Sequence, residues 1–273
     1  MLEPSGTPCR RQCRPDDGDS GGLASKSDDA TGANRSKSTA ADRPWGSVGV
    51  GEAVLVRPNT VRQSLLTEDA ENLREWDRRA TQGGLYAVLS TRWSSAQVTE
   101  VDRIQKDVMR RMLPDVGGKI VLDIGCGVGR LAWALAERDA QVVGVDKSGA
   151  MLNRAIAERG RRAVHFVRGP ADVLPFSDEA FDIVSASYVL QHILDDKTFR
   201  RTLREITRVT RSGGQVLTVD GLADHSFVPN SKVTVVRTIA DYEQVFYPAL
   251  SRIRLERFRC VEDEYTAQLW RRA

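Results

Sequence analysis

The sequence predicts an α/β fold: a three-layer sandwich with a mostly parallel sheet, preceded by a helical cap. Three observations carry this. From Lys119 onward, short apolar runs alternate with helical stretches. The links between them are short, as strand–helix units require. The chain then closes on two strand-like segments joined by a very short acidic turn, which predicts an antiparallel hairpin at one sheet edge. The 273 residues suffice for one sizeable core with extra elements.

Taken in order, residues 1–45 are rich in Ser, Gly, Asp, Arg and Thr and nearly free of large apolar side chains. Such a segment cannot bury enough surface to offset its ordering entropy, which predicts a disordered extension. Residues 46–116 are assigned to the cap, and 46–66 show no clear pattern. From Thr67 the pattern is helical: Thr67 is a candidate N-cap, Glu68 and Asp69 suit the helix dipole, and Gly83 and Gly84 mark the stop. A second helix follows, with Val98, Val101, Ile104, Val108 and Met112 as one apolar stripe and Pro114 as its terminator.

Residues 117–273 form the predicted core. KIVLDI is a buried parallel strand, GRLAWALAERD a helix and QVVGVD a second strand. SGAMLNRAIAERG is a helix capped by Ser148 and ended by Gly160. AVHFVRG and FDIVSAS are the third and fourth strands. DDKTFRRTLREITRVT is a helix ended by Gly213 and Gly214, and QVLTVDG is the fifth strand. TIADYEQVFYPAL is a helix, and RIRLERFRCV with EYTAQLWRRA makes the hairpin. The alternating arginines of RIRLERFRC read as the solvated face of an edge strand.

Composition narrows the function. Forty basic and 37 acidic side chains give a net charge of +3, too balanced to indicate nucleic acid as a partner. No apolar run is long enough to span a membrane, and the N-terminus lacks a signal-peptide core. Cys9, Cys13, Cys126 and Cys260 show no zinc spacing, so no metal is expected. They read as free thiols in a reducing cytoplasm.

The stretch VLDIGCGVGR places Gly125, Gly127 and Gly129 after the first core strand, where open α/β sheets bind ligands. Arg130 and Leu131 follow, instead of the Lys-Ser/Thr of a triphosphate loop. The spacing G-x-G-x-G also departs from the dinucleotide fingerprint. Asp146, 21 positions after Gly125, ends the next strand and can accept both hydroxyls of a ribose.

With the loop RGPADVLPFSDEAFD and the late segment LREITRVTRSGGQVLTVD, these parts resemble a class I S-adenosylmethionine-dependent methyltransferase of the small-molecule type, the type 11 family. The resemblance runs from about Lys119 to the end. It implies a seven-stranded sheet of order 3-2-1-4-5-7-6 with strand seven antiparallel, and residues 67–114 covering the substrate. It implies S-adenosyl-L-methionine as cofactor, held by Asp123, Gly125, Cys126, Gly127, Gly129, Asp146, Lys147, Met151, Ala171, Asp172, Val173 and Ser187. One departure stands out. Where the family often has Gly-Asp-Ala, this chain has Gly169, Pro170 and Ala171, so the carboxylate for the adenine amino group is absent and Asp172 is its nearest substitute.

The expected reaction is methyl transfer to an oxygen or nitrogen of a small molecule, by a monomer or homodimer. A secondary-metabolite intermediate is the analogy-based substrate. Candidate catalytic groups lie after the fourth and fifth strands: His192 as general base oriented by Asp220, with His225 and Tyr188 as weaker candidates. A structural role for His192 stays open beside this. Tyr86, Trp93, Tyr188 and Gln191 are candidate substrate-pocket residues. The rival readings are the same fold with cyclase, hydrolase or isomerase chemistry, and a non-catalytic partner of a related enzyme.

Overall fold

A computed structural model describes residues 68–90, 92–160, 162–227 and 233–273. The extension to residue 45, the segment 46–66 and the Thr67 cap lie outside the described residues. The core is a seven-stranded sheet of order β3-β2-β1-β4-β5-β7-β6. Its strands are β1 (Ile120–Ile124), β2 (Gln141–Asp146), β3 (Val164–Arg168), β4 (Phe181–Ser187), β5 (Thr210–Asp220), β6 (Leu250–Cys260) and β7 (Asp263–Arg272). The first five pair in parallel, and β7 runs antiparallel to both β5 and β6. This is the expected order and polarity.

Helices α1 (Glu68–Arg79) and α2 (Ser95–Met112) precede the sheet. Then come α3 (Arg130–Ala136), α4 (Gly149–Glu158), α5 (Asp196–Val209) and α6 (Ile239–Phe246). Their starts follow the capping chemistry of the sequence. Ser94 and Gln97 form a reciprocal capping box on α2, and Thr238 and Asp241 form one on α6. Ser148 accepts from the Met151 N–H and caps α4. The α2 stripe is buried as its period requires, at Val98, Val101, Val108 and Met112.

Two boundaries differ from the sequence reading. First, α5 stops at Val209, short of the Gly213–Gly214 pair. The Thr210 hydroxyl donates to the Ile206 carbonyl at 2.7 Å, and Thr210 already pairs with Phe181 of β4. The glycines instead sit in a bulge within β5 that brings Gln215 opposite Ile183. Second, α1 ends at Arg79. Gly84, at φ +57°, opens a short 3-10 turn, Gly84–Ala87.

The strands β1, β2, β4 and β5 are buried on both faces. One core cluster joins Leu122, Val143, Phe181, Val184 and Trp270 with the inner face of α5. The other joins Val121, Val142 and Leu217 with α2 and α3. The β6 strand forms the exposed edge, where Arg254 pairs with Glu256 and Arg111 reaches Glu256 from α2. Charged side chains there blunt the edge against further pairing. No described helix is long and apolar enough to cross a membrane.

Candidate functional site

A cavity opens at the carboxyl ends of β1, β2 and β4. Its floor is the loop from Gly125 to Gly129. Gly125 (φ +65°) and Gly127 (φ +53°) both sit in the left-handed region. A Cβ at Gly125 would run into the Val189 side chain, and one at Gly127 would meet Val88 Cγ1 at 2.9 Å. Close approach and handedness together demand glycine. The Gly125 and Cys126 N–H groups donate to the Val145 carbonyl at 2.8 and 3.1 Å, strapping the loop to β2. Gly129 (φ +86°) is the N-cap of α3 and supports the loop from behind, away from the cavity wall.

Two carboxylates face this space. Asp123 is buried, and burial lifts its carboxyl from the ordinary aspartate range to about 7, although a Ser185 hydrogen bond and the Arg130 charge oppose the rise. Asp146 accepts the Gly127 N–H on one oxygen at 2.9 Å and the Ser148 N–H on the other at 2.8 Å. Burial raises its pKa and those two bonds pull it back. Each carboxylate oxygen has two lone pairs, so one on each remains for a ligand. Lys147, Met151 and the Cys126 side chain complete this wall. Burial pushes the Cys126 thiol well up, so it is not a thiolate.

The β3–β4 loop brings Gly169, Pro170, Ala171 and Asp172 to the cavity. The Asp172 carboxylate is already engaged by Arg201 of α5, at 2.8 and 3.0 Å. The loop beyond is clipped to α5. Glu205 accepts the Leu174 N–H at 2.7 Å, and Arg208 donates to the Leu174 and Phe176 carbonyls. Val173 points outward and is 38% exposed.

After β4, Ser187, Tyr188, Val189 and His192 line the cavity. The structure does not join His192 to Asp220. The His192 Nδ1 lies 2.6 Å from the Val233 carbonyl, so this nitrogen carries the proton. Its Nε2 lies 3.3 Å from the Gln191 side-chain nitrogen, and burial drives the ring pKa down to about 4. Asp220 accepts from the Tyr242 hydroxyl at 2.9 Å and the Gln191 N–H at 3.2 Å, away from the cavity. Burial raises Asp220 to about 7. Gln191 likewise straps the turn, accepting the Gly221 N–H at 2.9 Å, and is not part of the cavity wall. His225 is exposed beside Phe227, and His165 is exposed on β3.

The roof comes from the cap. Asn72 and Trp76, one turn apart on α1, line the cavity with Val88. Asn72 Nδ2 donates to the His192 carbonyl at 3.0 Å, and the Trp76 and His192 rings meet edge-on at 4.9 Å. The Ser148 hydroxyl donates to Asp77 at 2.5 Å, fixing α1 to the end of β2. Tyr86 and Trp93 lie elsewhere. They pack with Leu89, Val98 and Val101 against Phe258 and Tyr265 of the hairpin, because α2 turns that face of the cap toward the hairpin. The cavity residues missing from the sequence reading include Asn72, Trp76, Val88, Arg130 and Val189. Arg130 was findable, since it directly follows Gly129. The cap residues carried no signal, because nothing local encodes how α1 docks. No group of His, Cys, Asp and Glu among the described residues is arranged to hold a metal ion.

The residues fit an adenosyl amino acid better than a phosphate. The loop glycines admit a ligand without offering the Lys-Ser/Thr pair, and two cavity carboxylates can accept from hydroxyl or ammonium groups. Comparison with known proteins agrees. Residues 122–218 match the family described as "Methyltransferase domain". The chain is 35% identical over 164 residues to an O-methyltransferase of Penicillium expansum, covering 58% of this chain and 56% of that protein. It thus spans about half the length of the curated relatives it matches. Its fold matches the magnesium protoporphyrin IX methyltransferase of Synechocystis, solved with bound S-adenosylhomocysteine (TM-score 0.58, 16% identity, 75% of this chain and 95% of that one). It also matches the [4+2]-cyclase SpnF (TM-score 0.57, 19% identity, 75% and 94%).

Proposed function

Starting from residues 122–218 as a methyltransferase domain, we propose that this chain binds S-adenosyl-L-methionine and transfers its methyl group to an oxygen or nitrogen of a small molecule. The observation that carries the reading is the joint geometry of the Gly125–Gly129 loop with Asp123 and Asp146. In this reading Asp146 receives the ribose hydroxyls, Asp123 faces the ammonium, and Lys147 and Met151 pack the adenine. When bound, the cofactor supplies a methyl group on a positively charged sulfur. The chain contributes by orienting the acceptor and excluding water beneath Trp76 and Val88.

His192 and Asp220 then act on the loop more than on a proton. A ring held neutral down to about pH 4 is a poor proton acceptor, and Asp220 fastens β5 to the turn that carries Tyr188 and Val189. An oxygen acceptor is consistent with the O-methyltransferase relative, while a secondary-metabolite substrate in a cytoplasmic setting belongs to this proposal by analogy alone.

The test is label transfer from methyl-labelled cofactor to a panel of phenols, amines and carboxylic acids. Labelled product supports the proposal. A second reading keeps the cofactor but uses it for non-methyl-transfer chemistry. Pro170, which lines the cavity where the resemblance expects a carboxylate for the adenine, keeps it open, as does the fold shared with a cyclase. Tight cofactor binding with no label transferred to any acceptor would favour this second reading.

The pH dependence follows from Asp123. Its pKa of about 7 lies above the unfolded value, so its contribution to stability is present at low pH and lost as pH rises through about 7. Asp220 behaves the same way. A ligand ammonium pairs only with ionised Asp123, so below pH 7 binding must expel a proton. Affinity for S-adenosylhomocysteine is expected to rise up to roughly tenfold per pH unit below 7, then level off. Calorimetry between pH 5.5 and 8.5 checks this, and a flat profile contradicts it.

A further inference from the structure

A ligand lying across the carboxyl ends of the strands follows the sheet order β3-β2-β1. Neighbouring strands are about 4.8 Å apart, so each strand end meets a different part of it. In register, Asp123 of β1 lies beside Gly144 of β2, and Asp146 at the end of β2 lies beside Arg168 of β3. With an ammonium at Asp123 and a ribose at Asp146, the base comes one strand further on, at the end of β3. The chain there runs through Gly169, Pro170, Ala171 and Asp172, all of them in the cavity wall.

The exocyclic amino group of an adenine needs a hydrogen-bond acceptor. Pro170 and Ala171 have none on their side chains. Asp172 is 6% exposed, and its carboxylate is turned to Arg201 Nε and Nη2 at 3.0 and 2.8 Å. Arg201 is outside the cavity wall, so this pair draws the carboxylate toward α5. Thr198 and Thr202 reach the wall from α5. The Thr198 hydroxyl donates to Asp195 at 2.7 Å and accepts from Arg201 at 3.0 Å. The Thr202 hydroxyl donates to the Thr198 carbonyl at 2.9 Å, and that residue has no exposed surface. Met151 is apolar, and Lys147 carries only donors. The side chains at this end can pack a flat ring but leave its amino group unread.

We propose that the site does not select for the 6-amino group of the base, and that Pro170 is the residue that sets this lack of selectivity. The inference rests on the methyltransferase reading and deepens it at the cofactor's base.

The probe is the analogue of S-adenosylhomocysteine whose base is plain purine, with hydrogen in place of the 6-amino group. Calorimetry on the full wild-type chain is expected to give affinities for the two ligands within about twofold. Pro170→Asp brings a carboxylate to the same wall and should create selectivity, with S-adenosylhomocysteine bound about tenfold or more tighter than the purine analogue, the scale of a hydrogen bond to a charged group. Selectivity is a ratio within one protein, so a general loosening of the loop by the substitution cancels. Wild-type protein that prefers S-adenosylhomocysteine by about tenfold reads the amino group after all, through the other Asp172 oxygen or a main-chain carbonyl, and overturns the proposal. A folded Pro170→Asp variant without selectivity also overturns it, because the base then lies elsewhere. The wild-type ratio decides even if that variant fails to fold. Wild-type protein that binds neither ligand would instead refute the cofactor reading beneath it.

Discussion

Gly125→Ala is expected to abolish binding of S-adenosyl ligands while leaving the protein folded. The added Cβ would run into the Val189 side chain, and the backbone at φ +65° disfavours any L side chain. Val189 is not free to retreat. It lies between Tyr188, bound to Val219, and the Leu190–His192 turn, held by Asp220 and by Arg237 on the Leu190 and Ile193 carbonyls. The clash must therefore be relieved by moving the loop, and the loop is the cavity floor. The sheet beneath it is untouched. Affinity should fall about a hundredfold or more, with the far-ultraviolet circular dichroism unchanged. Near-native affinity would mean that the loop does not contact the ligand.

Asp146→Ala is the second large effect. Its carboxylate holds the Gly127 and Ser148 N–H groups and, in the proposed complex, two ribose hydroxyls. Hydrogen bonds to a charged group are worth roughly 1.5–3 kcal/mol each, so losing two to the ligand costs about a hundredfold or more in affinity. Unlike Gly125→Ala, this change also strands two N–H donors and should lower the melting temperature of the unliganded protein. Asp146→Asn can still accept on one side, and should recover part of both losses. Titration calorimetry with S-adenosylhomocysteine, alongside thermal unfolding, separates the two contributions.

Much of this arrangement was legible in the sequence, and the reasons are local. The strands are short apolar runs, Ser148 marks the start of its helix, and the loop glycines stand where the backbone turns left-handed. The sheet order came from resemblance, not from any single residue, and the pairing confirms it. What was not legible depends on packing between distant segments. The Gly213–Gly214 pair reads as a helix stop, but Thr210 had already been taken by β4. Tyr86 and Trp93 have the residue types of a pocket, yet α2 sets them against the hairpin, and Asn72 and Trp76 take the roof. His192 follows β4 and Asp220 ends β5, two positions that the resemblance pairs. Here Tyr242 and the Val233 carbonyl reach them first, and no sequence pattern announces either contact.

The most direct measurement is calorimetry of the purified full-length chain against S-adenosylmethionine, S-adenosylhomocysteine and NAD at pH 8. Micromolar binding of the two adenosyl amino acids, with NAD undetected, is the predicted result. Binding of NAD alone, or of none of the three by a protein shown to be folded, would contradict the assignment of the Gly125–Gly129 loop, Asp123 and Asp146 to a methyl donor.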